Sequence, residues 1–190
     1  MDRTDGYDRT KKFLKKVILF FLTGLSLCLS TRLYGQTATQ LEYQVKAVFL
    51  YQFVKFVKWP PTEFPSPNTP IDIGVLGESP VFKYLAETVA EQKGNDRKLT
   101  VRSFRDADRA ACQVLYIDAA LKNDMPRILE TFAGKPVLLV SDIDGFARQG
   151  GTIQFVNTGG KIKFIINHSA AQKAGLSISA RLLALAQSVL

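Results

Sequence analysis

"IDIGVLGESPVFKYLAETVAEQKG", residues 71–94, carries the fold class of this chain. Its first six residues are an apolar run closed by Gly77, the pattern of a short buried strand. Ser79 follows as a helix cap with Pro80 at the first helical position, and the spacing predicts a helix that Gly94 ends. A strand running straight into a helix asks for another strand beside the first, and the chain supplies candidates. "KLTVRSF" (98–104) and "CQVLYID" (112–118) read as strands two and three. "AALKNDMPRILETFAG" (119–134) reads as helical segments interrupted at Pro126 and stopped by Gly134, and "KPVLLVSD" (135–142) as a fourth strand. The fourth is almost continuously apolar, which suits burial on both faces. Strand and helix thus alternate three times, the signature of an α/β domain with a mostly parallel central sheet and flanking helices.

Downstream the rhythm changes. "GGTIQFVNTGGKIKFIINHS" (150–169) has two runs of period two around "NTGG", which predicts an antiparallel hairpin. Alternation sends Ile153, Phe155, Ile162, Phe164 and Ile166 to the core face and Gln154, Val156, Lys161, Lys163 and Ile165 to the other. Asn167 or Ser169 then caps a short helix ending at Gly175, and "SISARLLALAQSVL" (177–190) closes the chain as a second, with Leu182, Leu185, Ala186 and Val189 on one side.

Upstream, "YQVKAVFLYQFVKFVKWPP" (43–61) answers to helical periodicity, with Val45, Val48, Phe49, Phe53, Phe56, Val57 and Trp59 sharing one half of the wheel. Lys55 and Lys58 lie opposite, with Tyr51 and Val54 on their side, so the stretch reads as a core helix that Pro60 and Pro61 stop. Before it stand Lys11, Lys12, Lys15 and Lys16, the apolar run Val17 to Leu29, and small or polar residues to Ala38. That order is a secretory signal peptide over residues 1–35, with cleavage near Gly35 or Ala38. The run is too short for a membrane span, which needs roughly 20 residues. A single α/β domain over residues 41–190 is then expected in the periplasm.

Composition narrows the function. Of the +8 net charge, residues 1–35 hold seven basic and three acidic side chains, so the mature chain is near +4. Its basic residues are scattered rather than gathered in a stripe, which argues against nucleic acid as a partner. Loss of Cys28 leaves Cys112 alone, flanked by "AA" and "VLYI", and it reads as a buried small hydrophobe with no disulfide partner. The one histidine, His168, sits at the hairpin-to-helix junction, a place for capping or surface roles. With no GxSxG, no HExxH and no paired CxxC, neither a serine triad nor a zinc site can be assembled, so no catalytic residue, cofactor or metal is expected. "SDIDGF" (141–146) holds Asp142 and Asp144 but lacks the later acidic ligand of a calcium loop, and reads as a turn.

The pieces "YQVKAVFLYQFVKFVKWP" and "SDIDGFARQGGTIQFVNTGGKIKFIINHSAAQKAGLSISARLLALA" together resemble the YfiR-like family of bacterial periplasmic regulatory proteins. Gly145-Phe146, Gly150-Gly151, Phe164, Asn167, Ala170-Ala171, Gly175-Leu176 and Leu182-Leu183 carry the likeness. The resemblance implies a non-catalytic protein that represses a membrane-bound diguanylate cyclase through its periplasmic sensor region, lowers cyclic di-GMP and so acts on biofilm formation. It also implies release by an outer-membrane lipoprotein. A histidine kinase with a periplasmic sensor, or a second copy of the chain, also fits as partner. The alternative is a periplasmic small-molecule binding protein acting without a cyclase. This chain has no cysteine pair of the kind such relatives use, and Ile165 stands where an acidic residue is expected.

The interaction surface is expected on the outward hairpin face, Gln154, Val156, Lys161, Lys163 and Ile165, with His168 at the rim. Two β-branched residues among two lysines are unusual for a strand face meant only for water. The competing arrangement has the final helix cover that face and turn Val156 and Ile165 into core.

Overall fold

Ile71, Ile73 and Val75 turn to one side of their strand and Leu76 to the other, and each side meets its own hydrophobic cluster. The structure, a computed structural model, describes residues 39–190 apart from residue 91. The expected signal peptide over residues 1–35 lies outside the described residues. Among those described, no helix is long and apolar enough to cross a membrane.

The densely packed unit Glu42–Leu190 is built on an eight-stranded sheet. Its elements are α1 (39–56), β1 (Val57–Lys58), β2 (Ile71–Leu76), α2 (Val81–Val89), β3 (Lys93–Gly94), β4 (Arg97–Phe104), β5 (Val114–Ile117), α3 (Met125–Thr131), β6 (Leu138–Ser141), β7 (Ile153–Thr158), β8 (Lys161–Ile166), α4 (His168–Lys173), β9 (Ser177–Ile178), α5 (Ala180–Leu185) and β10 (Ser188–Val189). The sheet order is β10-β8-β7-β6-β5-β2-β4-β3, and β4, β2, β5, β6 and β7 all run parallel. One face is covered by α1 and α2, with Leu182 of α5. The other is covered by α3 and the turn bearing Ile143 and Phe146. This is the α/β class that the alternation predicts, with the hairpin β7-β8 in the expected register: Ile153 opposite Ile166, Phe155 opposite Phe164, Val156 opposite Lys163.

Three details depart from the sequence reading, the third being the buried face of α1. Helix α2 stops at Val89, and Gly94 belongs instead to a small β3-β4 hairpin turned by Asn95 and Asp96, both at positive φ. That hairpin has a use: Asn95 Nδ2 donates to the carbonyls of Val54 and Val57 at 2.9 and 3.1 Å and so closes the end of α1. Between β4 and β5, where no helix is expected, the chain makes only a 3-10 turn, Ala107–Arg109. The last helix ends at Leu185, because Gln187 N donates to Phe164 O and Leu190 N to Ile166 O, drawing the tail onto the edge of β8 as a parallel strand. Leu185 and Val189, expected to be buried with Leu182, are therefore 64% and 46% exposed.

The buried stripe of α1 is also rotated from the predicted one. Ala47, Leu50, Tyr51, Phe53 and Val54 are buried and Val48 is 47% exposed. The helix ends at 56, so Val57 and Trp59 do not follow helical spacing. They belong to an extended segment in which Val57 pairs with Ile178 and Trp59 Nε1 donates to Gln113 O at 3.1 Å. Placing them on the wheel pulled the expected stripe off its true line.

Cys112 is buried, as read from its flanks, with its sulfur against Gly74. Burial, foremost, pushes the thiol up to about 12, so the attacking thiolate is scarce at neutral pH. Folded protein is expected to react with iodoacetamide about a hundredfold or more slower than the same protein in urea. Comparable rates in the two conditions, followed by mass spectrometry, would contradict this burial.

Candidate functional site

Two regions of the sheet gather polar or exposed groups. The first is the hairpin face singled out by alternation. Lys161 and Lys163 are exposed, and Val156 and Ile165 half-buried, on the side away from the aromatic core. The final helix does not cover them, since α5 packs through Leu182 on the opposite face. What reaches them is the 143–151 turn and the tail. Together these leave a notch of about 160 Å³ lined by Arg148, Gln154, Val156, Ile165 and Leu190 among others. Gln154 faces outward as predicted yet is only 4% exposed, because its Oε1 accepts from Ala147 N at 3.2 Å beneath that turn. It is therefore a support of the turn in this fold, and the accessible face reduces to Val156, Lys161, Lys163 and Ile165. His168 is half-buried at the start of α4, its backbone N–H donating to Leu190 O at 3.0 Å, and its buried Nδ1 has no hydrogen-bond partner. Asn167, rather than Ser169, caps α4 by accepting from Ala170 N at 2.8 Å.

The shape of the turn depends on two adjacent glycines with different tasks. Gly150 holds φ +112, a left-handed value that other residues resist. Gly151 leaves room for Phe146, since a Cβ there would lie 2.1 Å from the ring.

The second region escaped the sequence reading. Strand order reverses between β2 and β5, and the carboxyl ends of the strands on either side of such a switch point form a crevice. There Lys46 of α1, 2% exposed, donates to Asp142 at 2.5 Å and pairs with Glu42 at 2.6 Å. Tyr116 of β5 donates its hydroxyl to the other oxygen of Asp142 at 3.1 Å. Burial pulls the Lys46 ammonium down, but the hydrogen bonds and charges of Asp142 and Glu42 outweigh it and leave it raised. Tyr116 is driven well above the ordinary phenol range, first by burial and then by the Asp142 charge. A cation surrounded by two carboxylates and a phenol that holds its proton form a structural tie. Neither the lysine nor the phenol is poised to exchange a proton near neutrality. Lone lysines and aspartates carry no pattern, so nothing local in the sequence announces the pairing. Among the described residues no three His, Cys, Asp or Glu side chains lie close enough to hold a metal ion.

A sheet with helices on both faces, a covered carboxyl-end crevice and an exposed hairpin notch describes an α/β domain. The chain belongs to the YfiR/HmsC-like family, which it matches over residues 43–187. Membership of that family suggests a periplasmic regulator in cyclic di-GMP signalling. No curated protein matches the chain significantly. Among solved structures it is similar to the ABC domain in complex with L-Trp from Streptococcus pneumonia, at 13% identity and TM-score 0.48 over 74% of this chain and 60% of that one. It is also similar to a conserved domain protein from Vibrio cholerae, at 14% identity and TM-score 0.48 over 63% of this chain and 54% of that one. The chain thus spans less than two thirds of either structure.

Proposed function

We propose that this protein is a non-catalytic periplasmic regulator that binds the periplasmic sensor region of a membrane-bound diguanylate cyclase and represses it. The observation that carries this reading is the family match across residues 43–187, which runs from within α1 through α5. Repression works as a population shift: a regulator that binds the inactive arrangement of the cyclase more tightly than the active one lowers cytoplasmic cyclic di-GMP by that difference in affinity. The docking surface in this reading is the hairpin notch and the strand face beside it, where Val156, Ile165 and Leu190 form an apolar centre, Arg148 and Asp144 line the notch, and Lys161 and Lys163 stand exposed on the hairpin. That combination suits an apolar protrusion on the partner with an acidic group placed toward Lys161 and Lys163.

Ile165→Glu tests both the function and the place. It puts a charge into the centre of the notch, at a half-buried position that water still reaches, so stability is expected to fall by about 1 kcal/mol or less. Cells carrying it are expected to show cyclic di-GMP at the level of a strain lacking the protein, with the variant present in the periplasm at parental amount. Cyclic di-GMP that does not change on deletion of the protein would end the cyclase reading. Full repression by a folded Ile165→Glu variant would move the docking surface elsewhere.

A further inference from the structure

On the far side of the 143–151 turn from the hairpin notch, a cleft of about 300 Å³ opens between the end of α3, Gln149–Gly150 and α4. One wall is apolar, made of Leu129, Phe132, Val137 and Leu139. Thr152 lines it too, and although the residue is only 2% exposed its hydroxyl has no hydrogen-bond partner among the described residues. Its backbone N–H is taken by Leu139 O at 3.2 Å, so the free group is the hydroxyl alone. Of the other polar lining, Asn167 is already committed, donating to Ala147 O at 2.7 Å and accepting from Ala170 N at 2.8 Å, while Gln149 and Ser169 stand exposed at the mouth. Lys173 is the one charged side chain on the lining, and it is exposed.

A hydroxyl that faces the cleft with no protein partner exchanges only water when a ligand hydrogen-bonds to it, so a polar head there meets an uncommitted group. A single lysine balances one negative charge and not two, which favours a carboxylate over a phosphate. The apolar wall takes a hydrocarbon body, and the volume lies at the small end of ligand sites. We infer that this cleft binds a short aliphatic monocarboxylate, its chain against Leu129, Phe132, Val137 and Leu139 and its head answered by Lys173 and the Thr152 hydroxyl. The site shares no lining residue with the hairpin notch, so its test stands whatever becomes of the cyclase reading.

Calorimetric titration of the purified protein with hexanoate, hexanol and hexylamine separates the contributions of body and head. Hexanoate is expected to bind at least about tenfold tighter than either neutral or cationic analogue. Thr152→Val, which swaps an unpartnered hydroxyl for a methyl of the same shape, is expected to melt no lower than the parent yet bind hexanoate about tenfold more weakly. Lys173→Gln, at an exposed position that threatens no packing, is expected to show a similar loss. Absence of hexanoate binding, equal binding of hexanol, or affinity unmoved by both substitutions would overturn the assignment.

Discussion

Phe53→Ala is expected to cost about 4 kcal/mol of folding stability, the largest loss anticipated at any single side chain of this protein. Phe53 is fully buried, and its ring is the hub of an aromatic group that joins α1 to the hairpin. It stacks on Phe155 at 5.8 Å between centroids and meets Phe164 edge-on at 5.2 Å. Phe49, only half-buried, extends the group with contacts to Phe53, Phe155 and Phe164 at 5.9, 6.0 and 5.5 Å. Removing the central ring loses its transfer free energy, the ring contacts and the filling of a site enclosed by a helix and two strands. Phe53→Leu retains most of the volume and is expected to lose roughly half as much. Urea unfolding with unchanged slope is the measurement. A midpoint for Phe53→Ala close to the parent's would mean that the aromatic group does not join helix to hairpin in solution.

Asp142→Ala is expected to cost about 3 kcal/mol, for a different reason. It strips the buried Lys46 ammonium of its shortest partner and removes the carboxylate that accepts from the Tyr116 hydroxyl, leaving that hydroxyl only Ser79, while the remaining partner of Lys46, Glu42, is one-third exposed. Lys46→Met is milder, since the carboxylates it abandons stay partly open to water and the methionine fills the stem's space. The double variant is expected to recover part of the Asp142→Ala loss, because no buried cation remains to be compensated. The pH dependence follows from the sign of the shift. The Lys46 ammonium is raised above its ordinary 10.5, so its contribution is fully present below that value and is lost only as pH rises through the raised one. From about pH 6 to 9 Lys46 therefore adds no slope to the Asp142→Ala penalty. Strict additivity of the two substitutions would show that the pair is not coupled.

The elements of the sheet were legible because each rests on local periodicity. The run 71–76 is a strand, 138–141 is buried throughout, and the hairpin register follows from which residues alternate on either side of "NTGG". A cap at Asn167 or Ser169 was likewise legible just ahead of the helix, and the structure takes Asn167. Failures came where a local pattern was outbid by a distant hydrogen bond. The tail 188–189 has residues that suit a helix, yet the free edge of β8 offers the carbonyls of Phe164 and Ile166, and the chain left its helix to reach them. Gly151 reads as a turn residue, whereas its missing side chain is filled by the ring of Phe146.

The candidate surface divides in the same way. Alternation alone placed Val156, Lys161, Lys163 and Ile165 on one face, since a strand cannot turn neighbouring side chains to the same side. Whether that face is open depended on which segment crosses it, and the crossing 143–151 turn buried Gln154 while leaving the others accessible. The tie between Lys46 and Asp142 spans 96 positions of sequence. By itself, then, the sequence determined the strand and helix types, the hairpin faces and the resemblance to a regulatory family, all of which follow from residue spacing. Only the tertiary structure decided which polar residues meet, which outward side chains are covered and where an empty cleft remains. Those depend on the close approach of distant segments, which no local periodicity encodes.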